Sequence, residues 1–224
     1  MANQASELAG LFTCPVALEI AIGDWPASAL LGPEIEAMRH ARPLRRREFV
    51  TGRTLARRAL AALGGPSVPI PRGPDRAPLW PEGYVGSIAH CDIACCAVAA
   101  KSRDAHSLGI DIEPAQPLGT ALIPLIVRPE EQARFGRLEN RAVAEWTTIA
   151  FCAKEAFYKS WYGLNRRYLD FLDVDVELRL DEPDAGGFSA VVRAADEALS
   201  AKVAYDGRWR LAHGLIWAGA TAGA

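Results

Sequence analysis

The chain has 224 residues, of which 50% are hydrophobic and 23% are charged, and its formal net charge is -2. These values exclude a largely disordered or fibrous chain, and the length allows one large domain or two small ones with a hydrophobic core. The small net charge argues against a strongly basic nucleic-acid binder.

The charges are distributed unevenly along the chain. Residues 39–58 hold eight arginines and one acid, whereas residues 170–184 hold seven acids and one arginine. The first segment is therefore suited to attract an anion. The second is either solvated or attracts a cation, and solvation is the simpler interpretation.

The sequence shows no sign of export or of a membrane segment. No residue before Arg39 is basic, so a secretory n-region is not visible, and the longest apolar run, residues 93–100, is too short to cross a bilayer. Five cysteines in such a chain are typical of reduced thiols. We therefore expect a cytoplasmic protein that does not associate with membranes.

The first half of the chain is predicted to contain one long helix and several strands. Apolar and small residues at spacings of three and four predict the long helix at residues 44–63, and Gly64-Gly65 ends it. A short helix is predicted at residues 33–40. The strands are predicted at residues 16–22, 84–90, 93–100 and 108–112.

The second half repeats this composition of elements. A helix opens at Pro129, and a longer one is predicted at residues 142–162, with Gly163 as its end. Each half then holds one long helix and several strands, which predicts an α+β fold with two similar halves, residues 1–108 and 109–224. The strands of the second half are predicted at residues 171–180, 188–193, 201–205 and 208–217.

Two acids in the segment Gly109-Ile-Asp-Ile-Glu113 are candidates for a metal site. Residues two apart in a strand share a face, so Asp111 and Glu113 point the same way. Two neighbouring carboxylates repel unless a cation lies between them, and oxygen ligands suit Mg²⁺. The alternative is a solvent-exposed strand end.

Glu155 and Lys159 lie four residues apart and share a face of the long helix. A surface ion pair is the simplest explanation. Against it, the chain has only four lysines and 21 arginines, and two of those lysines, Lys154 and Lys159, lie close to Glu155. A lysine ammonium is suited to a point contact with a phosphate.

A group of cations in the first half is suited to bind phosphate. Arg45, Arg53 and Arg72 precede the turn that contains Ser87, and His90 follows it. A histidine beside backbone amides and arginines is a candidate phosphate ligand, although a structural histidine among solvated arginines is the alternative. The cysteines near His90 fit no usual zinc spacing and are better explained as buried thiols.

Taken together, these segments resemble the Sfp-like 4'-phosphopantetheinyl transferases, in particular the bacterial branch that serves siderophore, peptide and polyketide synthases. The resemblance covers about residues 44–171. The matching blocks are Arg45-Arg-Arg-Glu-Phe-Val-Thr-Gly-Arg53, Arg72-Gly, Pro78-Leu-Trp-Pro-Glu-Gly83, Gly86-Ser-Ile-Ala-His90, Gly109-Ile-Asp-Ile-Glu113, Phe151-Cys-Ala-Lys-Glu-Ala-Phe-Tyr-Lys159 and Leu169-Asp-Phe171.

The resemblance implies a fold and a reaction. The fold is two similar α+β halves in a pseudo-twofold arrangement, with coenzyme A at their junction. The enzyme transfers the 4'-phosphopantetheine arm of coenzyme A to a serine of an apo acyl or peptidyl carrier protein, with Mg²⁺ (Mn²⁺ is also possible), and releases adenosine 3',5'-bisphosphate. The family further implies a monomer.

The resemblance also implies roles for individual residues. The catalytic residues would be Asp111, Glu113, Glu155 and Lys159. Of these, the three acids would hold the metal, Glu155 would act as general base for the carrier serine, and Lys159 would stabilise the phosphate charge. The residues that would bind coenzyme A are Arg45, Arg53, Arg72 and His90, which would hold its adenosine 3'-phosphate and pyrophosphate, together with Lys159 and the further candidates Ser87 and Lys154.

Two other functions are compatible with parts of the sequence. A non-catalytic relative would bind coenzyme A or its nucleotide product and act through a protein partner, but the intact acids and Lys159 argue against it. Nucleic-acid binding through residues 39–58 would require salt-sensitive affinity, and the overall acidity argues against it. The sequence does not identify the carrier protein or the pathway.

Overall fold

The computed structural model of the chain describes residues 7–23, 25–138, 143–193 and 204–223. Its helices and antiparallel sheets form an α+β fold, which confirms the predicted fold class. Among the described residues, no helix is long and apolar enough to cross a membrane. The helices are α1 (Pro33–Ala37), α2 (Pro43–Ala62), α3 (Ile123–Ile126), α4 (Pro129–Phe135) and α5 (Val143–Asn165). The strands are β1 (Ala17–Ile22), β2 (Tyr84–His90), β3 (Ala94–Lys101), β4 (Ser107–Pro114), β5 (Val174–Leu178), β6 (Ala185–Val192), β7 (Ala204–Ala212) and β8 (Leu215–Ala222).

The first half is a three-stranded antiparallel sheet, in the order β1-β3-β2, with α2 packed on one face. α2 begins at Pro43, where proline lacks only an N–H that would have no helical partner. It ends where Gly64 takes a positive φ of 74° and the Gly65 N–H bonds to the Leu60 carbonyl. This termination keeps the buried, small-residue face of α2 against the sheet.

The second half is a five-stranded antiparallel sheet, in the order β4-β8-β7-β6-β5, which packs against α5. The stripe of α5 that includes Trp146, Phe157 and Trp161 is buried, as its spacing predicts. Trp146 meets Trp209 of β7 edge to face, with ring centroids 5.6 Å apart. α5 is thereby held against the centre of the sheet.

The two sheets meet where β2 lies beside β4. The Ile110 N–H donates to the Ser87 hydroxyl oxygen at 3.2 Å, and Ile110 packs in an apolar cluster with Leu8 and Trp217. The boundary predicted between residues 108 and 109 falls inside β4. The division of the chain into two halves at that point stays a prediction. The candidate functional residues lie around the junction of β2 and β4.

Several predicted element bounds differ from the structure: the strand predicted at residues 171–180 is Val174–Leu178, the strand predicted at 188–193 begins at Ala185, and the helix predicted at 33–40 ends at Ala37. Glycine explains two further differences. α5 continues past Gly163 to Asn165, because Gly163 makes room for the Ser107 side chain rather than ending the helix. The strand predicted at residues 208–217 spans the true turn at His213-Gly214, where both φ angles are positive. Gly207 lies inside β7, where a β-carbon would overlap the Phe188 ring. Of the strand predicted at residues 201–205, residues 201–203 lie outside the described residues.

The acidic segment at residues 170–184 pairs with arginines of its own chain. Asp175 accepts hydrogen bonds from Arg134 and from Arg193, the latter at 2.8 Å. Burial alone would raise the pKa of Asp175, but these hydrogen bonds and charges outweigh it and hold the pKa below its usual value. Glu182 pairs with Arg210 in the same way. These contacts favour a structural role for the segment.

Candidate active site

The predicted acids lie where α5 crosses β4, and Gly109 permits this close approach. A β-carbon at Gly109 would overlap the Ala156 carbonyl oxygen of α5. Because side chains alternate along a strand, Asp111 and Glu113 share the face of Gly109. Ile110 and Ile112 point the other way, into the apolar cluster at the junction. The strand therefore presents both acids to α5.

Asp111 and Lys159 form the central ion pair of this site. Lys159 Nζ lies 2.6 Å from Asp111 Oδ1 and 3.1 Å from the Ile110 carbonyl oxygen. Asp111 is 5% exposed, and its Oδ2 is buried without a hydrogen-bond partner among the described residues. The carboxylate is thus held by Lys159, the Cys152 thiol lies beside it, and its Oδ2 remains an unused acceptor.

Glu113 and Glu155 complete an acidic cluster around Lys159. Burial raises the pKa of Glu113 to about 7, with repulsion from Asp111 added and Lys159 opposing. Burial also raises the pKa of Glu155, where Lys159 opposes and Asp111 adds to the shift. For Lys159 burial would lower the pKa, but Asp111 and Glu155 outweigh it and raise the pKa. One lysine therefore serves three carboxylates, which leaves the cluster short of positive charge.

The chemistry of this cluster fits a divalent cation. Its donors are carboxylate oxygens, which Mg²⁺ prefers, and a cation would both partner Asp111 Oδ2 and lower the raised pKa of Glu113. In the described part of the chain, no group of three or more His, Cys, Asp or Glu side chains is arranged so that it could hold a metal ion. Instead Lys159 contacts Asp111, and the three-carboxylate site stays a prediction.

His90 lies between the acidic cluster and the arginines of α2. Its Nε2 is 3.1 Å from Arg45 Nη1, and the same Arg45 nitrogen lies 3.1 Å from Glu48 Oε2. Burial lowers the pKa of His90; Glu48 opposes this shift, and Arg45 and Lys159 add to it. A neutral His90 can therefore accept the Arg45 hydrogen bond near pH 7.

Arg53 is a buried cation on α2, the helix that also carries Arg45. It is 5% exposed, its Nε donates to the Ile70 carbonyl oxygen at 2.6 Å, and its guanidinium carbon lies 4.2 Å from the Phe49 ring centre. Burial lowers the pKa of Arg53 to about 10, and three arginines add to the shift against one glutamate. This excess of positive charge attracts an anion. The neighbouring charges are those of Glu34, Arg45, Arg57 and Arg72.

A cavity of about 740 Å³ adjoins the acidic cluster through Lys159. Tyr158 and Tyr162 of α5 line it on one side, and Trp80 and Ser87 line it on the other. It therefore lies at the junction of the two halves. Its size and its mixture of aromatic and polar walls are typical of a small-molecule site.

Lys154 lies away from this site, and its contacts do not favour its predicted role as a coenzyme A ligand. Its ammonium is 1% exposed and bonds to Glu131 Oε2 at 2.8 Å and to the carbonyl oxygens of Ile126 and Phe171. These three bonds use all three ammonium protons. Lys154 therefore ties α3, α4 and the turn at Phe171–Asp173 to α5.

Sequence reasoning missed the aromatic wall of the cavity and the buried Glu34. Tyr158 and Tyr162 do carry a signal, because they are four residues apart, flank Lys159 and lie off the apolar stripe of α5. Trp80 lies within a matching block but was given no role. Glu34 carries no local signal for its burial, because two of its three partners, Arg57 and Ile70, lie far along the chain.

The chain is similar to proteins of one enzyme family over most of its length. Residues 34–100 match the model of the 4'-phosphopantetheinyl transferase N-terminal domain, and residues 107–212 match that of the 4'-phosphopantetheinyl transferase superfamily. The chain is 38% identical to 4'-phosphopantetheinyl transferase Svp of Streptomyces mobaraensis over 196 residues, which are 86% of this chain and 78% of that protein.

Two further relatives extend this similarity. The chain is 38% identical to 4'-phosphopantetheinyl transferase PptT of Mycobacterium tuberculosis over 175 residues, 77% of each protein. It is 38% identical to enterobactin synthase component D of Salmonella typhimurium over 132 residues, 58% of this chain and 53% of that protein.

Proposed function

The chain belongs to the 4'-phosphopantetheinyl transferase superfamily, and from that premise we propose how its own residues transfer the phosphopantetheine arm of coenzyme A to a carrier protein. The observation that carries the proposal is the position of Lys159. It contacts Asp111 in the acidic cluster and also lines the cavity at the junction of the halves. A ligand in the cavity would therefore meet the same ammonium that contacts Asp111.

The arginines and His90 bind the phosphates of coenzyme A in this proposal. Arg45 and Arg72 lie close enough to Arg53 that their charges help to lower its pKa, and His90 bonds to Arg45. Such a group has more positive charge than its own acids neutralise, which a polyanionic ligand would offset. The cavity beside Lys159 gives room for a further part of coenzyme A.

Asp111, Glu113 and Glu155 would hold a divalent cation, with Mg²⁺ as the expected ion. Bound there, the cation would neutralise charge on the pyrophosphate of coenzyme A. The unpartnered Asp111 Oδ2 and the excess of carboxylates over lysine support this assignment.

Glu155 accepts the proton of the carrier serine. Burial raises the pKa of Glu155 above the usual value for glutamate, which makes it a stronger base when ionised. The serine oxygen then forms a bond to the phosphorus that carries the pantetheine arm. The bond from that phosphorus to the bridging oxygen breaks, adenosine 3',5'-bisphosphate leaves, and Lys159 offsets the charge on the leaving phosphate.

The proposed experiment is mass spectrometry of purified apo acyl and peptidyl carrier proteins after incubation with this protein, coenzyme A and Mg²⁺. We expect each modified carrier to gain the mass of one phosphopantetheine arm, and the gain to disappear with EDTA and return with excess Mg²⁺ or Mn²⁺. A carrier panel that stays unmodified while coenzyme A binds tightly would favour a non-catalytic relative instead.

The remaining expectations concern the setting of the enzyme. We expect it to act as a monomer in the cytoplasm, on carriers of a siderophore, peptide or polyketide synthase. Light scattering of the purified protein tests the first point, since a dimer would double the measured mass.

A further inference from the structure

Glu34 of α1 is a fully buried carboxylate with contacts far along the chain. It is 0% exposed, and its oxygens accept hydrogen bonds from the Leu31 N–H, the Ile70 N–H and Arg57 Nη1, each at 2.8 Å for the nearer oxygen. A buried carboxylate without partners would be strongly unfavourable. These three donors explain how Glu34 is accommodated, and they bring α1, α2 and the segment at Ile70 together.

The peptide groups of Ile70 link Glu34 to Arg53. The Ile70 N–H donates to Glu34, and the Ile70 carbonyl accepts from Arg53 Nε at 2.6 Å. Arg53 is therefore oriented through a backbone segment that Glu34 holds. Two residues after Ile70, Arg72 bridges to Pro78 and closes the loop that lines the cavity. Glu34 thus holds the backbone segment that contacts Arg53 and leads to Arg72, two of the arginines assigned to the coenzyme A phosphates.

The arrangement around Arg53 indicates more than a fold contact. Among the described residues, Arg53 has no hydrogen-bond acceptor other than Ile70, although it is buried. The charges closest to it are mostly positive. A buried guanidinium that keeps unused donors among other cations is prepared for an anion. Glu34 holds the Ile70 segment by accepting the Ile70 N–H.

We propose that Glu34 is a positioning residue for phosphate recognition: through Ile70 it orients Arg53 and sets the start of the loop that carries Arg72. The inference rests on the proposed function. It concerns affinity and selectivity for the 3'-phosphate of coenzyme A, not the transfer step itself, because Glu34 has no contact with the acidic cluster around Lys159.

The test compares coenzyme A with 3'-dephospho-coenzyme A as substrates of Glu34→Gln. We expect KM for coenzyme A to rise about tenfold with little change in kcat, and the preference for coenzyme A over 3'-dephospho-coenzyme A to fall by a similar factor. Glu36→Gln is the matched control, because Glu36 lies on the same helix, is exposed and pairs with Arg39. In an Arg53→Ala background, Glu34→Gln should lower the preference less than it does in the wild-type background, because only its effect through the loop of Arg72 remains.

Each outcome bears on a separate statement. Equal losses with both substrates would make Glu34 a structural residue only and overturn the inference. If Glu34→Gln does not fold, Glu34→Asp replaces it, because aspartate keeps the charge but has a shorter reach to Ile70. We expect this variant to have a lower preference for coenzyme A over 3'-dephospho-coenzyme A. An unchanged preference, or failure of both variants to fold, rejects the inference. A wild-type enzyme that transfers from both substrates equally well would refute the phosphate assignment, and one that transfers from neither would refute the proposed function.

Discussion

The buried pair Lys154–Glu131 is predicted to stabilise the fold without binding coenzyme A. In Lys154→Met the apolar stem is kept and the ammonium is lost, which leaves the fully buried Glu131 without its cation. Removing one partner of a buried ion pair costs about 3–5 kcal/mol. The Arg128 and Val176 N–H groups still donate to Glu131, so we expect the lower part of this range.

A loss of about 3–4 kcal/mol corresponds to a decrease in Tm of about 6–16 °C for a chain of this size. Urea unfolding followed by circular dichroism measures the free energy, and a double-mutant cycle with Glu131→Gln isolates the pair. The neutral double variant should recover part of the loss, because it leaves no unpaired buried charge. Arg103→Met, at a side chain that is 76% exposed, is the control and should change stability by less than about 0.5 kcal/mol.

Substrate kinetics decide between the two assignments of Lys154. Below its Tm, the Lys154→Met variant should keep the wild-type KM for coenzyme A. A KM raised about tenfold, with the free energy of unfolding unchanged, would show that Lys154 binds substrate and would refute the reasoning from its three buried acceptors.

Three further predictions follow from single side chains. Glu155→Gln should lower turnover at least about 100-fold while calorimetry still detects coenzyme A binding; near-normal turnover would exclude the base role. Because the pKa of Asp175 is depressed in the folded protein, its contribution to stability is present above about pH 3.9 and is lost as the pH falls further. Asp175→Asn should therefore unfold at a lower urea concentration than the wild type at pH 7. Equal urea midpoints would contradict this. Gly109→Ala should lower Tm strongly by forcing α5 off β4, whereas Gly119→Ala, at an open position, should not.

Residue types and spacing indicated which candidate residues share a face, and the family resemblance predicted their roles. Asp111 and Glu113 share a strand face because the side-chain period is two, and Glu155 and Lys159 share a helix face because the helical period is 3.6. The structure brings Asp111 and Lys159 into contact and makes Glu155 an electrostatic neighbour of both. Local periodicity was sufficient here because each pair lies within one element.

Periodicity was insufficient wherever a contact joined distant segments. Lys154 and Glu155 are adjacent in sequence but about 100° apart around α5, so one faces the buried α4 and the other faces β4. Glu34 meets Ile70 across 36 positions, and no local pattern connects them. Gly163 looked like a helix end, but Ser107 from another element is what requires it.

The sequence by itself determined the α+β class and the family resemblance, and it predicted the residues that carry chemistry, because these depend on local spacing and on residue type. Only the tertiary structure decided which charges neutralise one another. The acidic segment at residues 170–184 pairs with arginines of its own chain, Lys154 neutralises Glu131, and Lys159 serves the acids of the site. Net charge and charge runs cannot supply this, since electrostatic interaction depends on distance and burial rather than on order along the chain.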